Sequence, residues 1–197
     1  MPSTVSLSIK LIRIGASLLV IALASIGLTL WVTWQLEGGA AAVNEAGRMR
    51  MQTWRLNSAV AAQLPASEVQ ALVSQFDGSL GLLRSGDPSR PLFVPWDDEV
   101  AQQFVIVEAL WQNQRPLWLG ELPPDAARSL QAAGEFVDAI DRFVLVIEKQ
   151  LSGYTAILNL FQFVMMALAI GGAVVMLFTG YVYVINPLSH QQRGLAQ

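Results

Sequence analysis

The residues with the types and spacing to do chemistry lie in one stretch, Val43-Asn-Glu-Ala-Gly47-Arg-Met-Arg50-Met-Gln-Thr-Trp54-Arg55. On an α-helix, Val43, Gly47, Arg50, Trp54 and Ala61 fall on one stripe. Arg48 and Arg55, seven residues apart, fall on another, with Glu45 three residues before Arg48. Arg48 and Arg55 can therefore be solvated or paired. Arg50 is a cation on a stripe that is otherwise apolar, and no acidic residue of the same helix shares that stripe. Such a charge needs a partner. One source is an anionic ligand: the planar guanidinium fork matches a planar oxyanion, and Gly47, one turn earlier, allows close approach. Two copies of the helix meeting across a dimer axis would clamp one small anion between two Arg50 side chains, which repel when it is absent. Binding would then bias two arrangements of the interface. The other source is a carboxylate from a different helix, or simple snorkelling of the side chain. Spacing alone leaves both open. Met49 and Met51 read as packing residues.

Other chemistry finds few residues to use. The 197-residue chain has no cysteine and a single histidine, His190, so thiolate nucleophiles, disulfides and a His-based metal cluster are excluded, and no cofactor is expected. His190 stands too close to the second apolar run to serve as a phosphoacceptor. No basic face suited to nucleic acid is present. No kinase histidine motif, ATP-binding glycine box or phosphate loop occurs in these residues, so no catalytic residue is assigned and the chain is not expected to be an enzyme itself.

What must position Arg50 is set by how charge is distributed. Only 14% of residues are charged and 53% are hydrophobic, against about 25% charged in an ordinary soluble domain. All 15 acidic residues lie between Glu37 and Glu148. Ile14 to Trp34 and Leu160 to Ile185 carry no charge. At 1.5 Å per residue the first run covers roughly 32 Å, enough for a bilayer core, and Trp31 and Trp34 sit at its far end, where aromatic rings favour the interface. The run exceeds the hydrophobic core of a cleaved signal peptide, so it reads as an uncleaved anchor. Lys10 and Arg13 precede the first run, Arg193 follows the second, and Glu37 is the first charge on the other side. The positive flanks place both termini in the cytoplasm. The expected organisation is a cytoplasmic N-terminus over 1–13, a transmembrane helix over 14–34, a periplasmic domain over 35–158, a second transmembrane helix over 159–185, and a relay segment over 186–197.

The domain between the spans reads as helices, since no alternating β-branched runs bounded by hairpin turns occur. Breakers at Pro65, Gly86 to Pro91, Pro95 and Pro116 to Pro124 cut it into four segments. These are about 40–63, 66–84 with Val69, Leu72, Val73, Phe76, Leu80 and Leu83 at helical spacing, 96–114 with Asp97 and Asp98 at its N-cap, and a last one from Pro124-Asp125 through Phe136, Ile140, Phe143 and Ile147. The prediction is all-α: an antiparallel four-helix bundle whose first and last helices continue from the spans.

Gly47-Arg-Met-Arg50-Met-Gln52-Thr-Trp54-Arg55-Leu56, with Asn44 and Ala46 before it, resembles the P-box of the NarX/NarQ nitrate/nitrite sensor histidine kinases, a motif that also occurs in PilJ-type chemoreceptors. Pro91-Leu-Phe-Val-Pro-Trp96, acidic residues and Gln102-Gln103-Phe104 resemble the loop and third helix of the same kinases. Asn186-Pro187-Leu188 with Leu195 resembles the start of a HAMP relay helix. Arg48 and Trp54 depart from the family pattern, which has a small or neutral residue and Tyr there. The resemblance implies a homodimeric sensor in which the arginine matching Arg50 of each subunit holds one nitrate or nitrite, Gly47 lies nearby, and Asn44, Ala46, Met51, Trp54 and Arg55 support the site. It further implies the input part of an inner-membrane two-component kinase acting on a response regulator through a kinase domain outside these residues. Two alternatives stand beside it: the ligand-input module of a PilJ-type methyl-accepting chemoreceptor, and a dimerising membrane bundle that binds no ligand.

Overall fold

The computed structural model describes residues 7–121 and 125–181. It is all-α. Four helices follow in order: α1 Leu7–Ala61, α2 Ala66–Ser85, α3 Asp98–Trp118 and α4 Ala126–Gly180. Pro124 and the HAMP-like segment with Pro187, His190, Arg193 and Leu195 lie outside the described residues.

Helix α1 is unbroken over 55 residues, so no turn marks the expected boundary between 34 and 35. Helix α4 is also 55 residues long and has no break at 158. Both contain windows long and apolar enough to cross a membrane. In α1 that window leaves Leu18, Leu19, Leu23 and Leu30 exposed, an arrangement suited to hydrocarbon and costly in water.

Between Gly38 and Thr155 the helices form a bundle. The direction of its helices is fixed by contacts between α1 and α4: Gly39 meets Leu151, and Arg50 meets Asp141. One number rises as the other falls, so the two helices are antiparallel. Helix α2 meets α1 through Ser79 and Gln52, and α3 meets α2 through Trp111 and Asp77. The interior is aromatic. Phe76 stacks on Trp111 at 3.8 Å, Phe136 meets both edge-on at 4.9 and 6.1 Å, and Phe104 lies 5.5 Å from Phe143. Each fully buried large side chain contributes about 1.5–3 kcal/mol by leaving water.

The apolar spacing read from the sequence lands inside: Val69, Val73, Phe76, Leu80 and Leu83 of α2 and Phe136, Ile140, Phe143 and Ile147 of α4 are all buried. Leu72 is only partly buried. Asp97 is the N-cap of α3, accepting the Val100 N–H at 2.7 Å, which supplies one of the donors a helix start leaves unpaired. Helix α3 runs past Gln114, through Pro116, to Trp118. Pro116 stands in the last turn, so the i−4 bond it forfeits and the clash with the preceding turn fall at the very end of the helix, and the buried Leu117 and Trp118 draw the chain on. The helix stops at Gly120, with φ +74°.

Candidate functional site

The stretch 43–55 divides between the inside and outside of α1. Ala42, Ala46, Met49, Leu56 and Ala59 form the buried face, so Ala46 and Met49 are core residues. Glu45, Gln52 and Thr53 are also buried. Asn44, Arg50, Met51, Trp54 and Arg55 are exposed, and Gly47 is half-buried. Of the expected site residues, then, all but Ala46 are at least partly exposed.

Arg50 has a partner: its Nη1 donates to Asp141 Oδ1 of α4 at 2.7 Å. Both side chains are nearly half exposed, at 44% and 45%, which keeps the pair within reach of solutes. The Arg50 guanidinium lies back over Gly47; a Cβ there would sit 3.4 Å from Nη2. This follows from the tilt of helical side chains toward the N-terminus, which places i+3 over i. Asp141 is 91 residues from Arg50, and no local sequence signal joins them.

On its other flank α1 forms a groove with α2 in which Arg48 and Arg55 face Gln75, Gly78 and Leu82. Met51 and Trp54 line a neighbouring groove with Ala71 and Leu72. Arg48 donates to both oxygens of Glu45, at 2.5 and 2.6 Å. Arg90, from the loop between α2 and α3, approaches the same carboxylate at 3.6 Å. The Glu45 side chain is only 3% exposed, so its charge is held between two arginines, as a buried carboxylate requires.

The loop carrying Arg90 is ordered by its own hydrogen bonds. Asp87 and Leu92 form an antiparallel bridge, and Gly86 takes φ +74°, where a Cβ would also meet the Leu92 carbonyl at 2.8 Å. The Ser89 hydroxyl and then its N–H hold the Asp87 carboxyl below its usual value, and Arg90 adds to this. Beyond the bridge the loop turns to α1. Phe93 lies over Gly38, where a Cβ would stand 2.1 Å from its ring, and stacks on Trp34 at 4.1 Å. Gly39 gives the same room to Leu151. Gly38-Gly39 in mid-helix was the available sign of these contacts, since each glycine costs about 1 kcal/mol there without a packing return.

A separate cavity of about 610 Å³ lies at the opposite end of the bundle, lined by Val60, Leu64, Gln70, Trp118 and Asp125 among others. None of the expected site residues borders it.

The sequence profile of PilJ, the type IV pili methyl-accepting chemotaxis transducer N-terminal region, matches residues 31–143. That is more than half of the 197 residues, and it includes Gly47, Arg50 and Asp141. No match is found among curated proteins.

Proposed function

The chain belongs to the family of PilJ, the type IV pili methyl-accepting chemotaxis transducer N-terminal region, and from that premise we propose that it is the sensory input module of a methyl-accepting transducer. The match over 31–143 carries this reading, and the two helices long enough to cross a membrane suit an anchored receptor. The nitrate/nitrite sensor kinase reading places the same fold before a different output, and the family match favours the transducer. The positive flank at Lys10 and Arg13, against Glu37 beyond the first span, supports cytoplasmic termini and a periplasmic bundle at a bacterial inner membrane.

Within this reading the outward side of α1 is the ligand face. A planar oxyanion, nitrate or nitrite, binds between the Arg50 side chains of two subunits. The position of Arg50 supports this: half-exposed, laid over Gly47, and held by one exchangeable carboxylate. A solvated pair such as Arg50–Asp141 contributes only about 0.2–1 kcal/mol, so an anion replaces Asp141 at small cost. The exchange releases a link between α1 and α4. Because α1 is one helix from Leu7 to Ala61, its displacement reaches the first span without crossing a turn.

The test is thermal unfolding of the detergent-solubilised chain with sodium nitrate, sodium nitrite and sodium chloride. Nitrate or nitrite at about a hundred times Kd should raise Tm by about 5 °C or more, chloride should not, and Arg50→Ala should remove the shift. If no anion shifts the wild-type chain, the oxyanion site is wrong and the transducer reading is left with a different ligand.

A further inference from the structure

We infer that the loop between α2 and α3 seats on the bilayer surface, with Phe93 as its contact point and the headgroup layer of the membrane as its partner. The inference rests on reading 14–34 as a span, and adds a part of the bundle that this reading does not assign to lipid.

The level of the membrane surface is set first by α1. Trp31 and Trp34 close the uncharged run and Glu37 follows, so the boundary lies within about one helical turn of Trp34. Trp34 is 52% exposed. Phe93 meets α1 at this height: its ring stacks on Trp34 at 4.1 Å, and its N–H reaches the Gly38 carbonyl at 3.4 Å. Helix α4 contributes Tyr154, whose ring is 5.2 Å from Trp31 and whose hydroxyl accepts from Gln150. Three separate segments thus bring aromatic rings to one level, as in the aromatic belts that mark membrane–water interfaces. The patch is continuous with the apolar surface of the first span.

The rest of the loop stays away from that level. Arg90 reaches Glu45, which is about 10 Å farther along α1 than Gly38 at 1.5 Å per residue. Trp96 returns to the bundle and packs on Phe104. Phe93 descends, with Pro91 two residues before it, and Leu92 between them is anchored inside the fold. Gly38 removes the side chain that would keep Phe93 from this depth.

The chain has no cysteine, so single-cysteine variants take a nitroxide label at one place. Phe93→Cys and Pro91→Cys are prepared beside Leu30→Cys as a span reference and Val105→Cys as a water reference, in vesicles of phosphatidylethanolamine and phosphatidylglycerol. Pro91 is exposed and outside the aromatic contact, so it serves if Phe93→Cys fails to fold. Power saturation should give oxygen-rich exposure at 30, aqueous exposure at 105, and intermediate exposure at 91 and 93, with at least about threefold less access to a water-soluble nickel chelate than at 105. Loop labels as accessible as 105, with 30 in lipid, overturn the inference and leave the span reading intact. A label at 30 in water overturns both.

Discussion

The sequence stripe identified Arg50 as a cation in need of a partner, and left a ligand and another helix as the sources. The fold supplies Asp141, and the proposed site depends on that bond being exchangeable. Asp141→Asn should therefore strengthen nitrate binding by about 1.4- to fivefold, the ratio corresponding to a solvated ion pair of about 0.2–1 kcal/mol, measured by calorimetric titration. A weaker affinity would make Asp141 part of the site and not a competitor. Glu45 behaves differently because it is buried. Glu45→Gln removes the charge that Arg48 and Arg90 share, and should lower stability by about 1–2 kcal/mol in chemical denaturation while leaving anion affinity unchanged. Arg50 was legible in sequence because periodicity reports which residues share a helix face. Asp141 and Arg90 were not, because periodicity says nothing of which faces meet.

Among the elements, helix positions followed from apolar spacing and the breakers at Pro65 and Gly86. The end of α3 did not, because Pro116 reads as a stop, whereas the burial of Leu117 and Trp118 carries the helix two residues past it at the cost of one i−4 bond. The loop after α2 was legible as a break but not as a strap that returns to Trp34. Its attachment depends on Gly38. Gly38→Ala gains about 1 kcal/mol of helix propensity but forces the Phe93 ring to move, at about 1–3 kcal/mol. The net expectation is destabilisation with faster amide exchange over 86–94. Adding Phe93→Ala should restore much of the loss, and an additive double variant would refute the contact. The same loop responds to acid. Asp87 has a folded pKa below its unfolded value of about 3.9, so its contribution is present above that value and is lost as pH falls through the lowered folded one. The protection factor of the Ser89 amide, which removes the intrinsic pH dependence of exchange, should fall in that window and stay flat above about pH 5. The pair between α3 and α4 has the opposite sign. Hydrogen bonding to Glu99 raises the Lys149 pKa, so that link persists below the ordinary lysine value and is lost as pH climbs through the raised one.

For the whole molecule, composition separated two uncharged runs from an acidic domain, and that contrast with the helical spacing made an anchored all-α bundle, and no more than that, legible before any contact was known. The ligand and the output were not legible in the same way, because one fold serves several of each. Family membership supports a sensory input domain of the PilJ type, and the exposed Arg50 over Gly47 is the geometry on which the proposed ligand site rests. The central claim is that this module sets a transducer's output. It is tested by fusing residues 1–197 to the signalling portion of a methyl-accepting transducer, placing the fusion in nanodiscs, and measuring the activity of the associated kinase with and without nitrate. The account predicts that nitrate changes kinase activity at least threefold, that Arg50→Ala abolishes the response, and that Asp141→Arg shifts the basal activity without ligand. Kinase activity unchanged by nitrate, by nitrite and by both substitutions would contradict it.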